Sequence, residues 1–201
     1  MKTQKLRTQK KFYGSLITIK DKIIFFLTSL LLILVLSSCG MPSIGRYNPD
    51  PSIAKGVVKD IAFSNTITII NDQPDSKDHT LRFGETIVNY NAFTQSIVDA
   101  LKMELTRNGI TINDSSQKKL YVKVTNVDYQ LRAPNYRAYI DTEVKTGNDH
   151  IEFIEVTRGS YSSPLNMSTA PTRPMDAAFE DIVRDIMNNK KIQDYLMDQD
   201  G

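Results

Sequence analysis

The chain has 201 residues, 40% hydrophobic and 24% charged, with a formal charge of +2. These values exclude an intrinsically disordered chain, and the length suits one ordinary domain plus a short accessory segment. The single cysteine excludes an internal disulfide framework and any multi-cysteine metal site.

The charge is unevenly placed. Residues 1–38 hold seven Lys or Arg and one acid, Asp21, which leaves 18 bases and 22 acids in residues 39–201. The region after residue 38 is therefore mildly acidic, and a nucleic-acid partner, which would want a basic face, is not expected.

Residues 1–22 are polar and basic, and residues 23–36, IIFFLTSLLLILVL, carry no charge. A positive segment followed by a short apolar one has the layout of a signal peptide. As a helix the apolar run would measure about 21 Å, short of the roughly 20 residues a spanning helix needs. It ends in Leu36-Ser37-Ser38-Cys39-Gly40, which resembles the bacterial lipobox: an aliphatic residue, two small residues, then cysteine. Small residues admit the scissile bond to the peptidase, and the thiol receives the diacylglycerol. The amino group freed by cleavage can then take a further chain. Each buried CH₂ contributes about 0.8 kcal/mol, so two or three acyl chains hold a protein firmly where one does not. The expectation is cleavage between Ser38 and Cys39, with residues 1–38 removed and Cys39 lipidated, carrying palmitate-type chains. The basic segment, about 22 residues, is long for such a signal. In Gram-negative bacteria an Asp after the cysteine commonly retains a lipoprotein in the inner membrane. Gly40 thus points to the outer membrane, facing the periplasm.

Residues 39–56 include three Gly and three Pro with no period of 2 or 3.6 and read as a flexible tether. Residues 57–201 read as a single α+β domain. Val57–Phe63 and Thr66–Ile70 are strand candidates, the second β-branched throughout, and Asn71–Asp75 is turn chemistry. Residues 75–90 suggest a short hairpin or an irregular crossover. Phe93, Ile97, Leu101 and Leu105 recur every four residues, predicting a helix over Asn91–Asn108 with Asn91 as N-cap and Gly109 in the left-handed position after its end. Ile110–Ile112 returns to the sheet. Leu120–Gln130, Tyr136–Lys145 and Ile151–Tyr161 alternate apolar and polar residues, the signature of antiparallel strands with one face on a core and one in water. The phase shift from Ile151 and Phe153 to Ile154 and Val156 suggests a bulge near Phe153. Residues 162–173 read as loop and Pro174–Lys190 as a second helix, with a stripe of Ala178, Ile182, Val183, Ile186 and Met187. Lys190 and Lys191 then sit at its negative end. Ile192, Tyr195 and Leu196 close the chain as an apolar clasp. The order β-α-β-β-β-α predicts an α+β fold: a mostly antiparallel sheet with two helices packed on one face.

This order resembles the YajG family of bacterial lipoproteins. The resemblance is carried by the lipobox, the β-rich segment ending in a polar turn at Thr66–Asp72, and the helix Ile97-Val98-Asp99-Ala100-Leu101-Lys102-Met103-Glu104-Leu105 closing on Asn108-Gly109. The strand Lys119-Leu120-Tyr121-Val122-Lys123-Val124 and the final Tyr195-Leu196 complete it. More distantly the layout is similar to auxiliary lipoproteins of envelope lipid-transport systems and to the N-terminal part of TolB-like periplasmic proteins. The family brings no catalytic residues, so only the lipid-bearing Cys39 carries over.

His79 and His150 sit in separate polar turns, and no metal site or cofactor is expected from them. Asp141, Glu143, Glu152 and Glu155 read as a solvated strand face with Lys145 and Arg158 as cross-strand partners. Tyr121, Tyr129, Tyr136, Tyr139 and Tyr161 fall on or beside the three-strand sheet. Tyrosine is favoured at interfaces because it supplies area at low entropy cost, so these five form a candidate partner surface. With no Gly-rich phosphate loop, nucleophile elbow or HExxH run, the leading expectation is a non-catalytic envelope lipoprotein, an adaptor or accessory subunit of an envelope assembly or transport system. A periplasmic lipid or glycan binder would need a sizeable apolar cavity. A cell-wall hydrolase would need two titratable groups converging in a cleft.

Overall fold

The computed structural model describes residues 26, 45–58, 65–81, 86–132, 135–161 and 172–198. Ser38 and Cys39 lie outside the described residues, as does most of the expected strand Val57–Phe63. Among the described residues no helix is long and apolar enough to cross a membrane.

The chain enters the fold earlier than a tether at residues 39–56 implies. Strand β1 (Arg46–Tyr47) pairs in parallel with β4 (Ile87–Asn89). A 3₁₀ turn follows at Pro51–Ala54, capped by the Asp50 side chain on the Ser52 N–H. Tyr47 and Ala54 are buried, and the Tyr47 hydroxyl donates to Asp176 at 2.8 Å. The flexible reading thus fails from Gly45 onward. Tyr47 and Ile53 supply the apolar contacts, which a count of Gly and Pro does not register.

Strand β2 (Thr66–Asn71) is the β-branched run, and it stops where Asn71 Oδ1 accepts the Gln73 N–H. Residues 75–90 contain a hairpin: β3 (Asp78–Thr80) is antiparallel to β4, and β1-β4-β3 form a small sheet. Helix α1 (Tyr90–Arg107) buries Phe93, Ile97, Leu101 and Leu105, as their spacing predicts. Its N-cap is Asn89, whose side chain accepts from the Ala92 N–H, two residues before the expected Asn91. Asn91 instead spends its amide on the carbonyl of Gln73. Gly109 has φ +94°, the left-handed residue after the helix.

The main sheet runs β5-β2-β6-β7-β8, with β5 at Thr111–Ile112, β6 at Lys119–Arg132, β7 at Asn135–Thr146 and β8 at Ile151–Tyr161. The long β6-β7 and β7-β8 ladders are antiparallel, and the short β2-β5 and β2-β6 ladders are parallel. The parallel pairs follow from connection length, since α1 carries the chain back across the sheet between β2 and β5. Helix α2 (Thr172–Asn188) buries the expected stripe against β7 and β8, on the same core as α1, so the α+β class with helices on one face holds. The second helix does not run to Lys190. Asn189 breaks it and caps α3 (Lys190–Met197) by accepting from the Lys191 and Ile192 N–H groups. Lys190 and Lys191 therefore open a helix instead of closing one. Ile192 and Leu196 are buried, as a clasp requires.

The bulge lies elsewhere. The β7-β8 register runs unbroken past Phe153, whereas β6 slips between Val124 and Asn126. That extra residue reverses the inward parity of β6, from Leu120, Val122 and Val124 to Val127 and Tyr129.

Candidate functional site

With both long helices on one face, the other face of β6-β7-β8 is open among the described residues. Cross-strand register sets its side chains in rows. Tyr121, Lys145 and Ile151 form one row, Lys123, Glu143 and Phe153 the next, then Asn126, Asp141 and Glu155, then Asp128, Tyr139 and Thr157. Phe153 is 70% exposed and Ile151 42% exposed. Both stand on β8, the outermost strand of the main sheet, with their apolar side chains in water.

The five tyrosines do not share this face. Tyr121 and Tyr139 do, each half-buried among neighbours. Tyr129 is 2% exposed and belongs to the core, because the slip after Val124 turns it inward; it is removed from the partner surface. Tyr136 and Tyr161 lie in β7 and β8, but their side chains fall outside the described residues. Sequence alternation missed Phe153 because Ile151-Glu152-Phe153-Ile154 fits either parity, and only the unbroken β7-β8 ladder chooses between them.

The four strand acids split. Asp141, Glu143 and Glu155 are on the open face, with Asp141 and Glu155 directly opposite one another, and Asn126 donates to Asp141 at 2.9 Å. Glu152 points the other way and accepts from Lys191 at 2.7 Å, Asn189 at 3.1 Å, and His150. The expected partners are engaged elsewhere. Lys145 pairs with Asp149 at 2.6 Å, and Arg158 with the buried Asp181 of α2, which also binds Arg184. Hydrogen bonds from Lys191, Asn189 and His150 hold the Glu152 carboxyl down at about 2. Its folded pKa is depressed, so its contribution is complete above the ordinary value of 4.5 and disappears as pH falls towards 2. Glu152→Gln should therefore lower stability at pH 7 more than at pH 3. Equal losses at both pH values in urea titrations would refute the charge-based account.

His79 and His150 remain apart. His79 stacks on Tyr90 at 4.4 Å and pairs with Asp75, while His150 precedes β8. Among the described residues no group of three His, Cys, Asp or Glu converges as metal ligands would.

Two concavities lie off the open face. A polar recess of about 330 Å³ is lined by Thr146, Asn148, His150, Lys191, Asp194, Tyr195 and Asp198. The Tyr195 hydroxyl fixes its wall, accepting from the Lys119 and Gly147 N–H groups and donating to the Lys119 carbonyl. A Cβ on Gly147 would stand 2.7 Å from that hydroxyl, so glycine lets the turn and α3 meet. A shallow groove of about 550 Å³ with an apolar floor lies beside the end of α1, between Lys55, Lys102, Met103, Arg107 and Ile112. Between the helices and the sheet lies the core of buried side chains.

No protein-family model matches the chain, and no curated protein matches it. Solved structures similar to it include a Xanthomonas campestris protein of family DUF330, 13% identical over 73% of this chain and 92% of that one, with a TM-score of 0.44. Another is a minor lipoprotein from Acinetobacter baumannii, 12% identical over 64% and 94%, with a TM-score of 0.43. Rare lipoprotein B from Shewanella oneidensis is 13% identical over 65% and 88%, with a TM-score of 0.36.

Proposed function

We propose that the protein is a bacterial envelope lipoprotein of YajG-like type, anchored through Cys39, whose folded domain works by binding. The observation that carries this reading is Leu36-Ser37-Ser38-Cys39-Gly40, placed directly after an uncharged apolar run that is too short for a spanning helix. The chain holds no other cysteine, so lipidation competes with no other thiol chemistry. The binding role, as an adaptor or accessory subunit of an envelope assembly or transport system, is supported by the open face of β6-β7-β8 with Phe153 and Ile151 in water. Gly40 supports the outer membrane, facing the periplasm, as the place of anchoring.

Cys39→Ser removes the acyl acceptor. The variant should remain uncleaved, incorporate no labelled palmitate, and migrate on a gel as the larger precursor. A variant that still matured and carried label would overturn the anchor. The binding role is tested separately. Purification of the lipidated protein should recover a stoichiometric envelope partner that Phe153→Asp releases, and its absence would count against an adaptor.

A further inference from the structure

Residue order and packing limit how far the domain can stand from its anchor. Gly45 is already part of the fold: its carbonyl accepts the Ile87 N–H at 2.8 Å, and Arg46 and Tyr47 pair with β4. Tyr47 is buried against Phe93 and hydrogen-bonded to Asp176. The segment after it is fastened too, with the Gly56 N–H donating to Glu104 at 2.6 Å. Between Cys39 and Gly45 there are only six residue steps, which span at most about 20–22 Å when fully extended. A free chain to Gly56 would have reached about 60 Å.

The point of attachment also lies at a defined end of the domain. β1 pairs with β4, and β4 runs directly into α1, so β1, the β3-β4 hairpin and the start of α1 are together. The opposite end holds Gly109 and the start of β6, where Lys119 accepts the Gly147 N–H and meets Tyr195 of α3. Helix α1, 18 residues long, connects the two ends, a separation of about 27 Å.

We propose that the β1 end of the domain is held against the lipid headgroups. The polar recess between the β7-β8 turn and α3 is then turned away from the bilayer. This rests on the reading of Cys39 as a lipid anchor. The tether is shorter than the domain is long, so the recess end cannot take the position of the β1 end without stretching the chain past its contour. The recess and the adjoining turn are then the parts offered to soluble partners or to the opposite side of the periplasm, and the region around Lys77 and Asp78 is offered to the membrane.

The test uses the full lipidated protein in vesicles of phosphatidylethanolamine and phosphatidylglycerol carrying a quencher on the headgroup. One dye is attached through Lys77→Cys, beside β3, and another through Asn148→Cys, in the β7-β8 turn. The dye at position 77 should be quenched at least about threefold more than the dye at 148. A 20-residue Gly-Ser insertion after Gly40 adds about 25 Å of mean reach and should abolish most of that difference. Acylation is verified independently by the mass of the N-terminal peptide. Acyl chains present with equal quenching at both positions would overturn the orientation alone, whereas a protein without acyl chains would overturn the anchor and the orientation with it.

Discussion

Phe93→Ala is expected to destabilise the domain by about 3–5 kcal/mol, the range for removing a fully buried aromatic ring. Phe93 is 0% exposed and its ring is shared by three elements. Tyr47 of β1 lies at 6.2 Å and Phe179 of α2 at 6.0 Å, the latter edge to face. Truncation therefore opens a cavity bounded by the N-terminal segment, α1 and α2, which three separately anchored backbones cannot collapse together to fill. The loss should exceed that of an equally buried aliphatic residue contacting one strand. It should also loosen β1, which relies on Tyr47 for its only buried apolar side chain. Urea unfolding measures the total. Amide exchange at Tyr47 and Val88 shows whether β1 is released before the sheet. Phe93→Leu, which retains much of the volume, should cost markedly less. A loss below about 1 kcal/mol for the alanine variant would contradict this packing.

Glu104→Ala should cost a similar amount, about 3–5 kcal/mol, for a different reason. The Glu104 side chain is 1% exposed, on the last turns of α1. It accepts from the Gly56 N–H at 2.6 Å, the Val58 N–H at 3.4 Å and Arg107 at 2.9 Å. Removing it takes the acceptor from two backbone donors, each of which costs about 1–3 kcal/mol when orphaned, and leaves the Arg107 guanidinium with the Val58 carbonyl but without its carboxylate. Glu104→Gln keeps one oxygen and should lose less. Acidity supplies an independent check. Burial pushes the Glu104 carboxyl up, but Arg107 and the Gly56 and Val58 N–H groups together outweigh it and hold the carboxyl below its ordinary value of 4.5. Because the folded pKa is depressed, this stabilisation is complete above about pH 4.5 and is lost as pH falls through the folded value. The difference between wild type and Glu104→Gln should therefore shrink on acidification below that point. A difference that grew on acidification would reverse the assignment.

Periodic elements were legible because periodicity is a local property. The four-residue recurrence of Phe93, Ile97, Leu101 and Leu105 fixes α1 whatever surrounds it. The glycine at 109 marks its end because few other residues adopt φ +94° without strain. The bounds Ile151–Tyr161 agree with β8 itself. What failed depended on partners distant in sequence. Asn91 and Asn89 are equivalent as caps on paper, and Asn89 prevails because the carbonyl of Gln73 claims the Asn91 amide.

The candidate surface was half legible for the same reason. Alternation placed Tyr121 and Tyr139 on one face of the strands, and the structure finds them there, half-buried. It placed Tyr129 with them, and one inserted residue after Val124 sent it into the core. Parity along a strand can be counted only until a bulge, and a bulge is declared by the register of the neighbouring strand, not by composition.

By itself the sequence determined the acidic character after residue 38, the α+β class and the apolar faces of the two long helices, all of which are read from composition or from neighbours within a few positions. Only the tertiary structure decided that Arg46–Ala54 belong to the fold, which way Phe153 and Tyr129 point, and that β2 pairs in parallel with both β5 and β6. Those outcomes are set by residues far apart along the chain, such as Tyr47 with Asp176 and Gly56 with Glu104, whose meeting no local period encodes.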